Sequence, residues 1–78
     1  MTKRHLLGAV KGRMAAQNGE GRRIRQESGA TQAELGEAIG VSAATVHLWE
    51  TGQRVPREMA EPYWNALESL RREVERQS

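Results

Sequence analysis

Apolar residues near the start of the chain recur at Leu6, Leu7, Val10 and Met14. This i, i+1, i+4, i+8 stripe predicts a helix over residues 1–17, with Lys3, Lys11 and Arg13 elsewhere on the wheel. Gly8 and Gly12 weaken that helix by roughly 1 kcal/mol each relative to alanine. Asn18-Gly19 breaks the pattern, a second helix is expected over 20–27, and Ser28-Gly29 ends it. Leu35, Ala38 and Ile39 then return at helical spacing. In the helix after them Val46 and Trp49 share one face, and Ala44, His47, Leu48 and Thr51 the other. Beyond Gly52 and Pro56, residues 57–77 read as helical, with Pro62 tolerated in the first turn or so. Ala60, Tyr63, Leu67, Leu70 and Val74 fall at 3-4 spacing, close to an a/d seam. The expected fold is all-α, a bundle of about five helices with an extra N-terminal helix and an extended C-terminal one.

The stretch from Thr31 to Glu50 has the most ordered grammar. Thr31-Gln32-Ala33-Glu34 fits a capping box, in which hydroxyl and carboxylate satisfy backbone N–H groups reciprocally. Gly40 stands where a left-handed residue closes a helix at least cost. Val41 can turn inward, and Ser42 is a good N-cap for the next helix. Two short helices joined by a tight turn form a helix-turn-helix.

Composition narrows the function classes. Seventy-eight residues make one domain at most, with a small core that association can supplement. The expected divisions are a basic N-terminal helix or arm at 1–19, the two-helix unit with its supports at 20–70, and a charged tail at 71–78. With no cysteine, neither a disulfide framework nor a thiolate metal site is available. No apolar run approaches the ~20 residues of a membrane span and no signal-peptide core is present, so a cytoplasmic location is expected.

The net charge of +2 hides an asymmetry. Residues 1–25 carry seven Lys or Arg against Glu20 alone, a net of +6. Residues 26–53 hold Glu27, Glu34, Glu37 and Glu50 with no Lys or Arg, and residues 54–78 balance five Arg with five Glu. A basic first third points to a polyanionic partner, or reads simply as a solvated face. For the first helix two readings stand side by side, an extra helix packed on the core and a basic arm lying along DNA.

Residues 21–56, GRRIRQESGATQAELGEAIGVSAATVHLWETGQRVP, resemble the helix-turn-helix domain of the Cro and lambda-repressor-like family of transcriptional regulators. The resemblance rests on Arg25, Gly29, Thr31 and Gln32 in one run, then Glu34-Leu35, Gly40-Val41-Ser42, Thr45-Val46 and Trp49-Glu50-x-Gly52. It implies a compact bundle of four or five helices and a structural ion pair between Arg25 and Glu50.

It also implies how DNA is met. The helix beginning at Ala43 lies in the major groove with its first residues near base edges. Base-reading roles fall on Ser42, Ala43, Ala44, Thr45, His47 and Leu48. Phosphate roles fall on Gln32 and the backbone at the start of the preceding helix, and on Arg13, Arg22, Arg23, Thr51, Arg54 and Arg57. Family members often carry Gln, Lys, Arg or Asn at the reading positions, whereas this chain has two alanines and a leucine there. Methyl-bearing side chains can touch the thymine methyl but supply no bidentate hydrogen bonds. Readout is then thymine contact plus DNA shape, or weak specificity, or it comes from the arm and the arginines past the helix.

The other candidate chemistries are thin. His47, with His5 as the only other histidine and no cysteine, does not make a metal site. Ser28 and Ser42 lack a histidine–carboxylate arrangement, Trp49 reads as core, and no feature argues for catalysis or a cofactor. Tyr63, Leu67, Leu70 and Val74 are the expected dimer contact, as a short two-helix zipper or by exchange with the partner's N-terminal stripe; Tyr63 and Leu67, with Trp64, also suit the closing of the core. A regulator this short is similar to Cro-type switches of phages and mobile elements. The expected function is repression from a pseudo-palindromic operator by a homodimer on double-stranded DNA. The rivals are an antitoxin-type module holding a protein partner through its C-terminal helix, and a degenerate helix-turn-helix with a structural or RNA-binding role.

Overall fold

The computed structural model describes residues 3–77, without the side chain of Arg4. Five helices follow in order: α1 (Lys3–Gln17), α2 (Glu20–Ser28), α3 (Gln32–Ile39), α4 (Ala43–Glu50) and α5 (Ala60–Gln77). No strand occurs among the described residues, and the fold is all-α as expected.

The local signals act as chemistry requires. Thr31 Oγ1 accepts from the Glu34 N–H at 3.0 Å while the Glu34 carboxylate accepts from the Thr31 N–H at 2.8 Å, a complete capping box. That bond from the Thr31 backbone, then the one from its hydroxyl, holds the Glu34 carboxyl below its ordinary pKa. Gly40 closes α3 at φ 86, in the left-handed region where a side chain is costly. Ser42 then caps α4, its hydroxyl accepting from the Thr45 N–H at 3.1 Å. The last helix starts later than expected. Residues 57–59 form a turn behind buried Pro56, and α5 begins at Ala60, so Pro62 falls among the first residues, where no intrahelical donor is needed.

Each helix sends residues to one core built from Ala15, Ala16, Ile24, Leu35, Val46, Trp49, Tyr63 and Leu67. Trp49 and Tyr63 meet edge-on at 5.0 Å between ring centroids, a favoured aromatic geometry. The α5 seam is spent inside the protomer. Ala60, Tyr63 and Leu67 have no exposed surface, which corrects the expectation of Tyr63 and Leu67 as dimer contacts. So small a chain must use its longest apolar seam to close its own core. Leu70 and Val74 remain half-buried.

The first helix packs on the core, the first of its two readings. It packs on α5, but through Gly8, Gly12, Ala15 and Ala16 instead of its large apolar side chains. A Cβ on Gly12 would run into the Ala60 carbonyl, so glycine is what lets the two helices approach. Leu6, Leu7 and Met14 stay outside the contact, 51%, 47% and 55% exposed. Around this contact His5 Nδ1 lies 2.7 Å from Glu61, and Lys11 and Arg71 both sit over the Trp64 ring, at 5.8 and 5.6 Å. Arg71 also reaches Glu20 at 3.3 Å, tying α5 to α2.

Candidate nucleic-acid interface

The candidate surface is the outer side of α4 with the start of α3 and the loop after α4. Val46 and Trp49 turn the inner side of α4 into the core, which leaves Ala44 and His47 exposed and Ala43, Thr45 and Leu48 half-buried along its outer side. The helix is held at both ends. At its start the Ser42 and Thr45 hydroxyls lie 3.0 Å apart, so one donates to the other and the pair keeps one outward donor proton. At its end the Leu48 carbonyl accepts from the backbone N–H groups of Gln53 and Arg54.

Beneath this surface lies a charged network. Arg25 donates to Glu50 from Nε at 2.6 Å and from Nη2 at 2.9 Å, and from Nη1 to the Ala30 carbonyl at 2.9 Å. The side chains are 11% and 1% exposed. Burial alone pushes the Glu50 carboxyl up, but the hydrogen bonds from Arg25 and Gln32, with the charges of Arg25 and Arg22, outweigh it and hold it below its ordinary value. Arg25 is raised in turn, first by its hydrogen bond to Glu50. The resemblance implied this pair, and the geometry contains it.

Gln32 belongs to the same network, which sequence reasoning missed. Its amide donates to Glu50 at 3.0 Å and lies 3.4 Å from His47 Nδ1. As arranged, the side chain is occupied within the protein. The α3 donors left for a phosphate are the backbone N–H groups of Gln32 and Ala33, which precede the first intrahelical bonds. Thr51 is similarly engaged. Its hydroxyl donates to the His47 carbonyl at 2.9 Å and accepts from Gln53, so it has no proton to offer a phosphate. A polar side chain facing its own helix end leaves no such signal in spacing.

The arginines divide. Arg22 stands close enough to the bridge for its charge to act on Glu50, placing it beside the end of α4. Arg23, one residue on, lines the cleft between α1, α2 and α5 with Trp64 and Arg71. Neighbouring helix positions point about 100° apart, which sets the two side chains in different surroundings. Arg54 and Arg57 line a hollow with Val41, Thr45 and Trp49, so the loop after α4 folds back along that helix. Arg57 also lies near Ala9, and Arg13 sits one turn beyond Ala9 on that flank of α1. The side chains of Arg13, Arg22, Arg54 and Arg57 form no hydrogen bond or ion pair among the described residues.

Residues 22–76, 55 of the 78, match the family described as a helix-turn-helix domain. The chain belongs to that family. No curated protein matches, and no solved structure matches. Membership of the helix-turn-helix family makes DNA the partner class, with α3 and α4 as its two-helix unit. The match begins at residue 22, within α2, so α1 lies outside it. No helix among the described residues is long and apolar enough to cross a membrane.

Proposed function

We propose that this helix-turn-helix protein is a transcriptional repressor that binds a pseudo-palindromic operator as a homodimer, with α4 in the major groove. The observation that carries the reading is the outer side of α4: a short capped helix, braced from below by Arg25–Glu50, with small uncharged side chains outward. No carboxylate projects from that side, since the one acid of α4 is the buried Glu50. Arg22 beside its end and Arg54 and Arg57 in the following loop supply the positive rim that phosphates require.

Ala44 and Leu48 offer methyl groups to thymine, His47 offers a ring nitrogen, and the Ser42–Thr45 pair offers one hydroxyl donor. With so few directional contacts, a share of specificity comes from the shape and deformability of the site. Binding falls steeply with salt as counterions displaced by the arginines return to the duplex. Occupying a promoter suffices for repression.

Selection of bound duplexes from a random pool at near-physiological salt tests this. The expected product is a two-fold motif, rich in thymine at the reading positions, with half-sites ~34 Å apart. A pool that shows no enrichment refutes sequence-specific binding.

A further inference from the structure

Three large apolar side chains stand exposed among the described residues, and all three are on α1: Leu6, Leu7 and Met14. With half-buried Val10 they form one stripe outside the glycine–alanine contact with α5, its Leu7 and Met14 edge bordering hollows that α5 also lines. The stripe is not needed for the core, which takes the glycine and alanine side. Contiguous exposed apolar surface of this kind marks an interaction site.

The same chain carries an open apolar groove. Leu35, Ala38 and Ile39 from α3 and Met59, Ala66 and Leu70 from the α5 side line a hollow of about 770 Å³. One charged side chain lines it, Glu34, and α3 carries Glu34 and Glu37 with no Lys or Arg. In contrast, α1 carries Lys3, Lys11 and Arg13 with no acidic residue. Apolar stripe with basic flanks and apolar groove with Glu34 as its one charged lining residue are complementary in shape class and in sign.

We propose that the α1 stripe of one copy seats in the α3–α5 groove of a second copy, and that this exchange is the dimer contact. The inference rests on the homodimer reading above and names its surface. Asn65 lines both the groove and the hollow beneath Leu7, so the groove adjoins the Leu7 edge of the stripe, which lets a two-fold contact use both. A two-fold pair buries two such contacts, which brings the area toward the ~1,200 Å² that stable interfaces begin at. Pairing α1 with α1 of the partner buries only one contact and sets cationic flanks against each other. A lipid surface fits less well: the glycine–alanine side of α1 is packed on α5, whereas an interfacial helix keeps a charged face in water.

Sedimentation of the full chain over a concentration series tests this with two variants at exposed positions. Leu7→Glu/Met14→Glu spoils the stripe, and Ala38→Arg fills the groove. Wild type is expected to dimerise, and each variant to remain folded by circular dichroism while its association weakens at least about tenfold, ~1.4 kcal/mol. An equimolar mixture then regains dimer, because the intact stripe of the groove variant still fits the intact groove of the stripe variant. If A38R melts early, Ser69→Arg blocks the same groove from the exposed side of α5. A wild type that stays monomeric, variants that dimerise as wild type, or a mixture that fails to associate would overturn the proposal. Duplex selection reads the other question separately: a monomer that enriches single half-sites leaves DNA recognition standing and removes only this contact.

Discussion

Glu50 grips Arg25 with both carboxylate oxygens, 2.6 Å from Nε and 2.9 Å from Nη2. One ion pair thereby joins α2 to α4, and the Gln32 amide at 3.0 Å from Glu50 brings in the start of α3. The elements that would face DNA are set by a contact that does not face DNA. With Glu50 only 1% exposed, neither charge can be left without the other.

Removing one partner should therefore cost far more than removing both. Arg25→Met and Glu50→Met are each expected to destabilise by ~3–5 kcal/mol, the cost of an uncompensated buried charge. The double variant should lose much less than the sum, since the two sites are in contact. Urea denaturation at neutral pH measures all three, and additive losses would contradict the coupling.

The same pair sets an acid limit. The folded Glu50 carboxyl lies below its ordinary value, so its contribution is complete above the unfolded carboxylate range near pH 4 and lost as pH falls through the folded value. Exposed Glu34 is shifted in the same direction by its cap. Thermal melts from pH 7 downward should hold level and then drop below ~4. Glu50→Gln should start lower and show a shallower acid limb; an identical limb would remove Glu50 from the account.

Two glycines one helical turn apart in α1 should respond differently to alanine. At Gly12 a Cβ meets the Ala60 backbone, which cannot move without shifting α5, and G12A is expected to cost ~1–3 kcal/mol by overpacking. At Gly8 the nearest atom is the flexible Glu61 side chain at 3.2 Å, and the gain in helix propensity, ~1 kcal/mol, offsets the adjustment. Chemical denaturation of the two variants separates them. Equal effects would mean that the α1–α5 approach is not tight.

The helices and the site differ in how far the chain revealed them. Thr31, Glu34, Gly40 and Ser42 act through their immediate neighbours, so spacing alone located α3, the turn and α4. Tyr63 and Leu67 were legible as an apolar seam, but periodicity cannot say whether a seam meets its own chain or another. In α1 the stripe of larger apolar residues did not say which side meets the core, because the decision lay in how closely α5 could approach; the Gly8–Gly12 spacing, with Ala15 and Ala16, was the available signal. The engagement of Gln32 with Glu50 and His47 spans 18 and 15 residues and depends on the packing of α3 against α4, which no local pattern encodes.

Tyr63 is buried without exposed surface, and its hydroxyl finds no hydrogen-bond partner among the described residues. Tyr63→Phe should be neutral or stabilising by up to about 1 kcal/mol, since it removes a buried polar group and keeps the ring against Trp49. Burial pushes the phenol up to about 12. Its stabilising effect is full below the unfolded value near 10 and is lost as pH rises through the folded one. Wild type should thus lose ground to Y63F in alkaline melts above pH ~10. A large loss in Y63F at neutral pH would show that the hydroxyl is bonded after all.

Gln32 and Arg22 make the closing comparison on DNA. Arg22→Ala removes an exposed cation beside the end of α4, so it should weaken binding to every sequence alike and reduce the salt slope by about one. Gln32→Ala takes a hydrogen bond from Glu50 and a neighbour from His47, so it should lower stability by ~1 kcal/mol as well as affinity. Its salt slope should stay near that of wild type, because no charge is lost. Titration of one duplex and a scrambled one at several salt concentrations, beside denaturation of the same variants, resolves the two roles. A Gln32→Ala protein of unchanged stability that binds all duplexes equally weakly would return its amide to the phosphate.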